Sequence, residues 1–189
     1  MFILYALLFG LIAGFLVGGR LGALADLRLR WSAVIIGGLV IQILLFSEPV
    51  TDRIGSLGPP IYVASTAMVI AAIVVNRAVP GMLIVALGAA SNLTAILANG
   101  GYMPADPGAI AVLGTAHLTA YSNSAIVPDP VLWPLTDIFV LPRWVPLANV
   151  FSVGDLAIGV GIAVVIAVAM RAGRAPSIVA PGSTPAVGG

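Results

Sequence analysis

Five stretches of this chain are apolar from end to end: Phe2–Gly19, Trp31–Ser47, Pro60–Asn76, Gly81–Ala98 and Ser152–Met170. Each is 17–19 residues long, and the first four contain no charged residue. A hydrocarbon layer about 30 Å thick takes about 20 helical residues to cross, so every stretch is close to crossing length. Within lipid the backbone must satisfy its own N–H and C=O groups, which a helix does inside one segment. A spanning β-barrel needs alternation of apolar and polar residues, and these runs do not alternate. The rest of the composition agrees: 60% of the residues are hydrophobic and 8% charged, against about a quarter charged in soluble domains. The expected fold is an all-α integral membrane protein, with five transmembrane helices in one domain over residues 1–171. A proline-rich cap on the outer face and a disordered tail over 172–189 complete it.

Arginine placement orients the expected spans. With five crossings, Arg20, Arg28, Arg30, Arg77, Arg171 and Arg174 share one face, and Arg53 and Arg143 the other. The positive-inside bias puts the larger group in the cytoplasm, with the N-terminus outside and the C-terminus inside a multi-pass cell-membrane protein. No basic residue precedes the first run, which is expected to be an uncleaved helix rather than a secretory leader. A net charge of +1 supplies no basic field for nucleic acid, and none is expected as a partner. The chain has no cysteine, which excludes disulfides and thiolate chemistry. Its one histidine, His117, does not make a metal site by itself. No cofactor and no metal are expected. Membrane lipid is the expected partner.

Polar and small residues inside the runs set expectations for packing. Gly10, Gly14 and Gly18 recur every fourth residue and form a face that another helix can approach closely. That face suits packing within the chain, with a homo-oligomer as the other use. Gln42 and Asn92 are strongly polar and need partners on neighbouring helices or in the outer loop. Between the first two runs, leucines mixed with Arg20, Arg28 and Arg30 suit a short interfacial helix ending at Trp31. The outer segment 99–149 is far longer than most helix connections and holds seven prolines. It is too apolar for a solvated linker. A cap lying on the outer leaflet is expected, with a short helix around Ala109–Tyr121.

Two carboxylates stand at the same expected face. Ser152-Val-Gly-Asp155 opens the last run and has the spacing of a capping box, in which hydroxyl and carboxylate bond each other's backbone N–H. An acid there also suits the positive end of the helix dipole. Asp137 lies eighteen residues upstream among prolines and aromatics, where a turn or an ion pair with Arg143 accounts for it. Brought together, two such acids share a proton and activate water between them, one as general base and the other as general acid.

Several pieces of the chain resemble a bacterial family of small polytopic membrane proteins described only as a domain of unknown function. They are Gly18-Gly-Arg-Leu21, Gln42, Ser91-Asn92, Asn99-Gly-Gly-Tyr-Met-Pro104 and Asn149-Val-Phe-Ser-Val-Gly-Asp-Leu156. That resemblance implies a membrane location and no particular activity. More weakly, Asp137-Ile-Phe139 and the segment closing on Asp155 resemble the end of lipoprotein signal peptidase. There, Asp137 and Asp155 match the two catalytic acids, with Asn92, and beside it Asn149 and Ser152, as positioning residues. Ser152 stands where that family carries asparagine and Gly154 where it carries alanine, and an arginine expected soon after Asn92 is missing. The leading expectation is an integral membrane protein of unassigned activity, structural or accessory in the cell envelope. The alternative is an aspartyl membrane hydrolase (an aspartyl protease by that resemblance), and a small transporter ranks third.

Overall fold

A computed structural model describes residues 2–47, 50, 53–113, 124–127 and 129–172. The segment holding His117 and the tail beyond Ala172 lie outside the described residues. The chain is predominantly helical. Its helices are α1 (Phe2–Leu16), α2 (Ser32–Leu45), α3 (Gly58–Val75), α4 (Met82–Ala98), α5 (Pro107–Leu113) and α6 (Val153–Ala172). All but α5 fall on the five apolar runs. Two stretches, Gly55–Val75 and α6, are long and apolar enough to cross a membrane; α1, α2 and α4 are shorter apolar helices.

Helix ends follow local chemistry. α1 stops before its run does, because Gly18 takes φ +79°. The Gly18 N–H then bonds the Phe15 carbonyl at 2.8 Å, and the Gly19 N–H the Gly14 carbonyl at 2.8 Å. That is a Schellman ending, which needs a residue free to turn left-handed. α3 carries proline in its first turn, where a missing N–H costs nothing. The segment after α1, expected to be a short helix, is a 3-10 helix, Leu21–Asp26.

The five long helices form a row, α2–α3–α4–α6–α1, in which each packs mainly on its neighbours. α2 and α3 run antiparallel: Gly38 faces Val69, and the Gln42 amide donates to the Thr66 hydroxyl at 3.2 Å. Val69 and Ile73 of α3 share a core with Met82, Val85 and Ala86 of α4 and Val165 of α6. α4 and α6 cross antiparallel through two pairs of glycines seven residues apart. A Cβ on Gly88 would lie 2.5 Å from the Gly154 carbonyl oxygen, and one on Gly161 2.8 Å from the Gly81 carbonyl oxygen. α1 runs parallel to α6, with Gly10 on the Ala163 backbone and Gly14 on Met170. The glycine face expected to serve helix packing is thus occupied, at Gly10 and Gly14, by α6 of the same chain.

Two asparagines at helix ends tie loops to the row. Asn76, after α3, brackets Arg30: its Oδ1 accepts from the Arg30 N–H and its Nδ2 donates to the Arg30 carbonyl, both at 2.8 Å. Asn99, after α4, brackets Val131 in the same way at 2.9 Å.

The cap covers the end of the row where α1 and α6 begin. It includes α5, which starts at Pro107 rather than near Ala109, because Asp106 caps it by accepting the Ala109 N–H at 2.8 Å. The cap also holds two short β pairings that an all-helical reading did not foresee. β1 (Met103–Ala105) pairs in parallel with β2 (Ser124–Ile126), and β3 (Phe139–Val140) antiparallel with β4 (Val150–Phe151). A bridge between Ala105 and Asp137 connects the two pairs. Prolines break helix repeatedly here, so the residues between them find backbone partners across the cap instead.

Candidate functional site at the mouth of α6

The first turn of α6 contains a closed ring of polar side chains. Ser152 and Asp155 form the capping box their spacing predicts. The Ser152 hydroxyl accepts from the Asp155 N–H at 3.0 Å, and Asp155 Oδ2 accepts from the Ser152 N–H at 3.1 Å. Asn92, on the last turns of α4, closes the ring. Its Nδ2 donates to Asp155 Oδ1 at 2.7 Å, and its Oδ1 accepts from the Ser152 hydroxyl at 2.8 Å. Ser152 is completely buried, so its hydroxyl depends on these partners. Both carboxylate oxygens of Asp155 are held by donors, one of them a backbone N–H at the positive end of the helix dipole.

Glycine makes the ring possible. Gly154 lies directly beneath Asn92, and a Cβ there would overlap the carboxamide oxygen and sit 2.7 Å from the Gly88 carbonyl. The Gly81/Gly88 and Gly154/Gly161 pairs therefore bring α4 close enough to α6 for a short side chain to reach across. Sequence reasoning singled out Asn92, Ser152 and Asp155 but gave these glycines no packing role. The available signal was two Gly-x6-Gly spacings, one on each helix.

Asp137 is drawn to the same end of the molecule by backbone pairing. Its N–H donates to the Pro104 carbonyl at 2.9 Å, and its carbonyl accepts from the Asp106 N–H at 3.0 Å. The residue is only 5% exposed. In the β3–β4 ladder Phe139 faces Phe151 and Val140 faces Val150. Asp137, two residues before that ladder, is instead bridged to Ala105 of β1. Phe151 anchors this corner, stacking on Phe139 at 5.4 Å and on Phe2 of α1 at 4.5 Å between ring centres. Arg143 turns toward α5, its Nε donating to the Val112 carbonyl at 2.7 Å.

Asn149 stands apart from the ring. Its Nδ2 donates to the Val150 carbonyl at 2.7 Å, and its own carbonyl accepts from the Leu141 N–H at 2.9 Å. Its role there is to end the β3–β4 ladder. Among the described residues, no group of three or more histidine and acidic side chains is placed to hold a metal.

These features define a class first: a mostly helical protein with strongly apolar helices, two of them of membrane-crossing length, sealed at one end by a polar ring under a proline-broken cap. Within that class the chain belongs to a family of unknown function (DUF5317), whose model matches residues 26–167. The match takes in α2 through α5, the cap, the ring and most of α6. No curated protein and no solved structure matches the chain.

Proposed function

We propose that this chain is a multi-pass integral membrane protein of the cell envelope with a structural or accessory role. Its five long helices cross the bilayer, with the N-terminus outside and the C-terminus cytoplasmic. One observation carries the reading: the helices turn their large apolar side chains outward and their polar ones inward. Leu8, Phe9 and Leu16 on α1 and Ile36, Ile43 and Leu44 on α2 are all more than half exposed. Gln42, Ser65, Thr66 and Asn92 instead spend their polar groups on bonds within the row. A surface of that kind needs hydrocarbon around it, since contiguous exposed apolar patches this extensive are rare on water-soluble monomers. The shorter helices are extended by apolar turns at their ends, such as Phe46-Ser47 after α2. The ring supports a structural role for Asp155, because both of its oxygens serve to fasten α6 to α4. The test is fractionation and topology. Alkaline carbonate should leave the protein in the membrane pellet, and reporters fused after Arg77 and after Ala172 should read as cytoplasmic. Release by carbonate, or opposite locations for these two reporters, refutes the proposal.

A second reading has a specific observation in its favour: Asp137 is a buried carboxylate of the cap, only 5% exposed. In that reading the chain is an aspartyl membrane hydrolase, with Asp137 and Asp155 activating water and Asn92 and Ser152 orienting Asp155. The test is lipoprotein processing with Asp137→Asn and Asp155→Asn. Loss of turnover in both, with the helical signal intact, supports the hydrolase; unchanged turnover in either excludes the pair.

A further inference from the structure

Between β3 and β4 the cap makes a hairpin turn, Pro142-Arg143-Trp144-Val145-Pro146-Leu147, closed by the Val145 N–H on the Pro142 carbonyl at 2.9 Å. Two of its apolar side chains are largely exposed: Trp144 is 84% and Leu147 52% exposed. The Tyr5 hydroxyl, one turn into α1, donates to the Pro146 carbonyl and holds the turn against the flank of that helix. Leu8 and Phe9 follow on the same face of α1, three and four residues on, and are 53% and 63% exposed. The apolar tip of the turn is therefore continuous with the apolar flank of α1.

Several polar groups of the turn are engaged within the protein. Two of its residues are prolines, which carry no N–H. The Pro142 carbonyl is bonded within the turn, the Pro146 carbonyl to Tyr5, and Arg143 Nε to the Val112 carbonyl. Each such bond lowers the cost of placing the turn against an apolar surrounding. Leu147 holds φ +58°, a conformation strained for a leucine that persists only where its surroundings fix it. A tryptophan at the tip with an arginine beside it is the side-chain pair that settles at the boundary between hydrocarbon and phosphate.

We propose that the 142–147 turn is a lipid anchor: it dips Trp144 and Leu147 into the bilayer interface beside α1, with the Arg143 guanidinium at the phosphates. The occupant of this surface is phospholipid. The inference rests on the membrane reading and adds to it that the cap enters the bilayer as well as covering the helices.

The chain has three tryptophans, Trp31, Trp133 and Trp144, so one can be watched alone. The Trp31→Phe, Trp133→Phe double variant, reconstituted into phosphatidylcholine vesicles, leaves Trp144 as the only reporter. Lipids brominated high on the acyl chain should reduce its emission by about half, as for an interfacial tryptophan, while aqueous iodide should quench it little. Adding Tyr5→Phe should shift the emission to the red and raise iodide quenching, because the turn loses its tether. Quenching by iodide but not by brominated lipid, in protein that stays with the vesicles, overturns the anchor and leaves the membrane reading intact; a surface kept for a protein partner gives that same result. Protein that does not incorporate into vesicles at all refutes the membrane reading itself. A variant retaining only Trp31 serves as the control for incorporation.

Discussion

Replacing Gly154 with alanine puts a methyl group where the Asn92 carboxamide now lies. The added Cβ overlaps Asn92 Oδ1 and comes within 2.7 Å of both the Asn92 Cγ and the Gly88 carbonyl oxygen. The Gly88 carbonyl is backbone and does not move without shifting α4, so Asn92 must swing away or the helices must part. If Asn92 swings, the ring loses a charge-assisted bond worth about 1.5–3 kcal/mol and a neutral one worth about 0.5–1.5 kcal/mol. If the helices part, overpacking costs about 1–3 kcal/mol. Alanine returns about 0.5–1 kcal/mol through its better helix propensity. The net expectation is a loss of about 1–3 kcal/mol. Titrating folded protein in mixed micelles with denaturing detergent and following the helical signal measures it. Gly37→Ala is the control: nothing lies within 4 Å of its Cβ, so it should be neutral or slightly stabilising. The decisive comparison is the double-mutant cycle with Asn92→Ala, which empties the space the methyl needs. In that background Gly154→Ala should lose about 1–2 kcal/mol of its penalty, the remainder coming from Gly88. A Gly154→Ala variant as stable as the parent, or penalties that simply add, would refute the account of the ring.

Three further outcomes are expected. Ser152→Ala removes the cap of α6 and the donor to Asn92, and should cost about 1–2 kcal/mol in the same titration, with faster amide exchange at Asp155. Gly10→Ala should be the costlier of the two substitutions on α1, at about 1–3 kcal/mol, because its Cβ meets the Ala163 backbone at 2.9 Å; Gly14→Ala meets the flexible Met170 side chain and should cost less, and the reverse order would count against the α1–α6 packing. Asn99→Ala frees both backbone groups of Val131, so proteolysis and amide exchange around 131 should accelerate while the long helices keep their protection; unchanged rates there would mean that the bracket does not hold the cap.

Much of the helical framework was legible in advance because its signals are local. An unbroken apolar run reports its own helix, and Ser152 and Asp155 lie three residues apart, so their capping box needs nothing from elsewhere. Asn92 was legible only as a residue in need of a partner. Its partners lie about sixty residues away, and no pattern within α4 says which helix will supply them. The β pairings of the cap were hidden for a related reason. Strands of two or three residues carry almost no periodicity, and their register depends on where prolines stop the helices around them.

The candidate acids divide along the same line. From its sequence the chain determined that Asp155 caps an apolar helix and that Asp137 precedes it in a long, proline-broken segment. The tertiary structure alone decided that Asp155 is also fastened to α4, and that Asp137 is pinned by its backbone to the Pro104–Asp106 segment of the cap. The physical reason is that a cap bond closes within one turn, whereas the Asn92 bond exists only because paired glycines let two backbones approach within reach of a carboxamide. Remove that approach and Ser152 and Asp155 still cap their helix, but nothing joins them to Asn92.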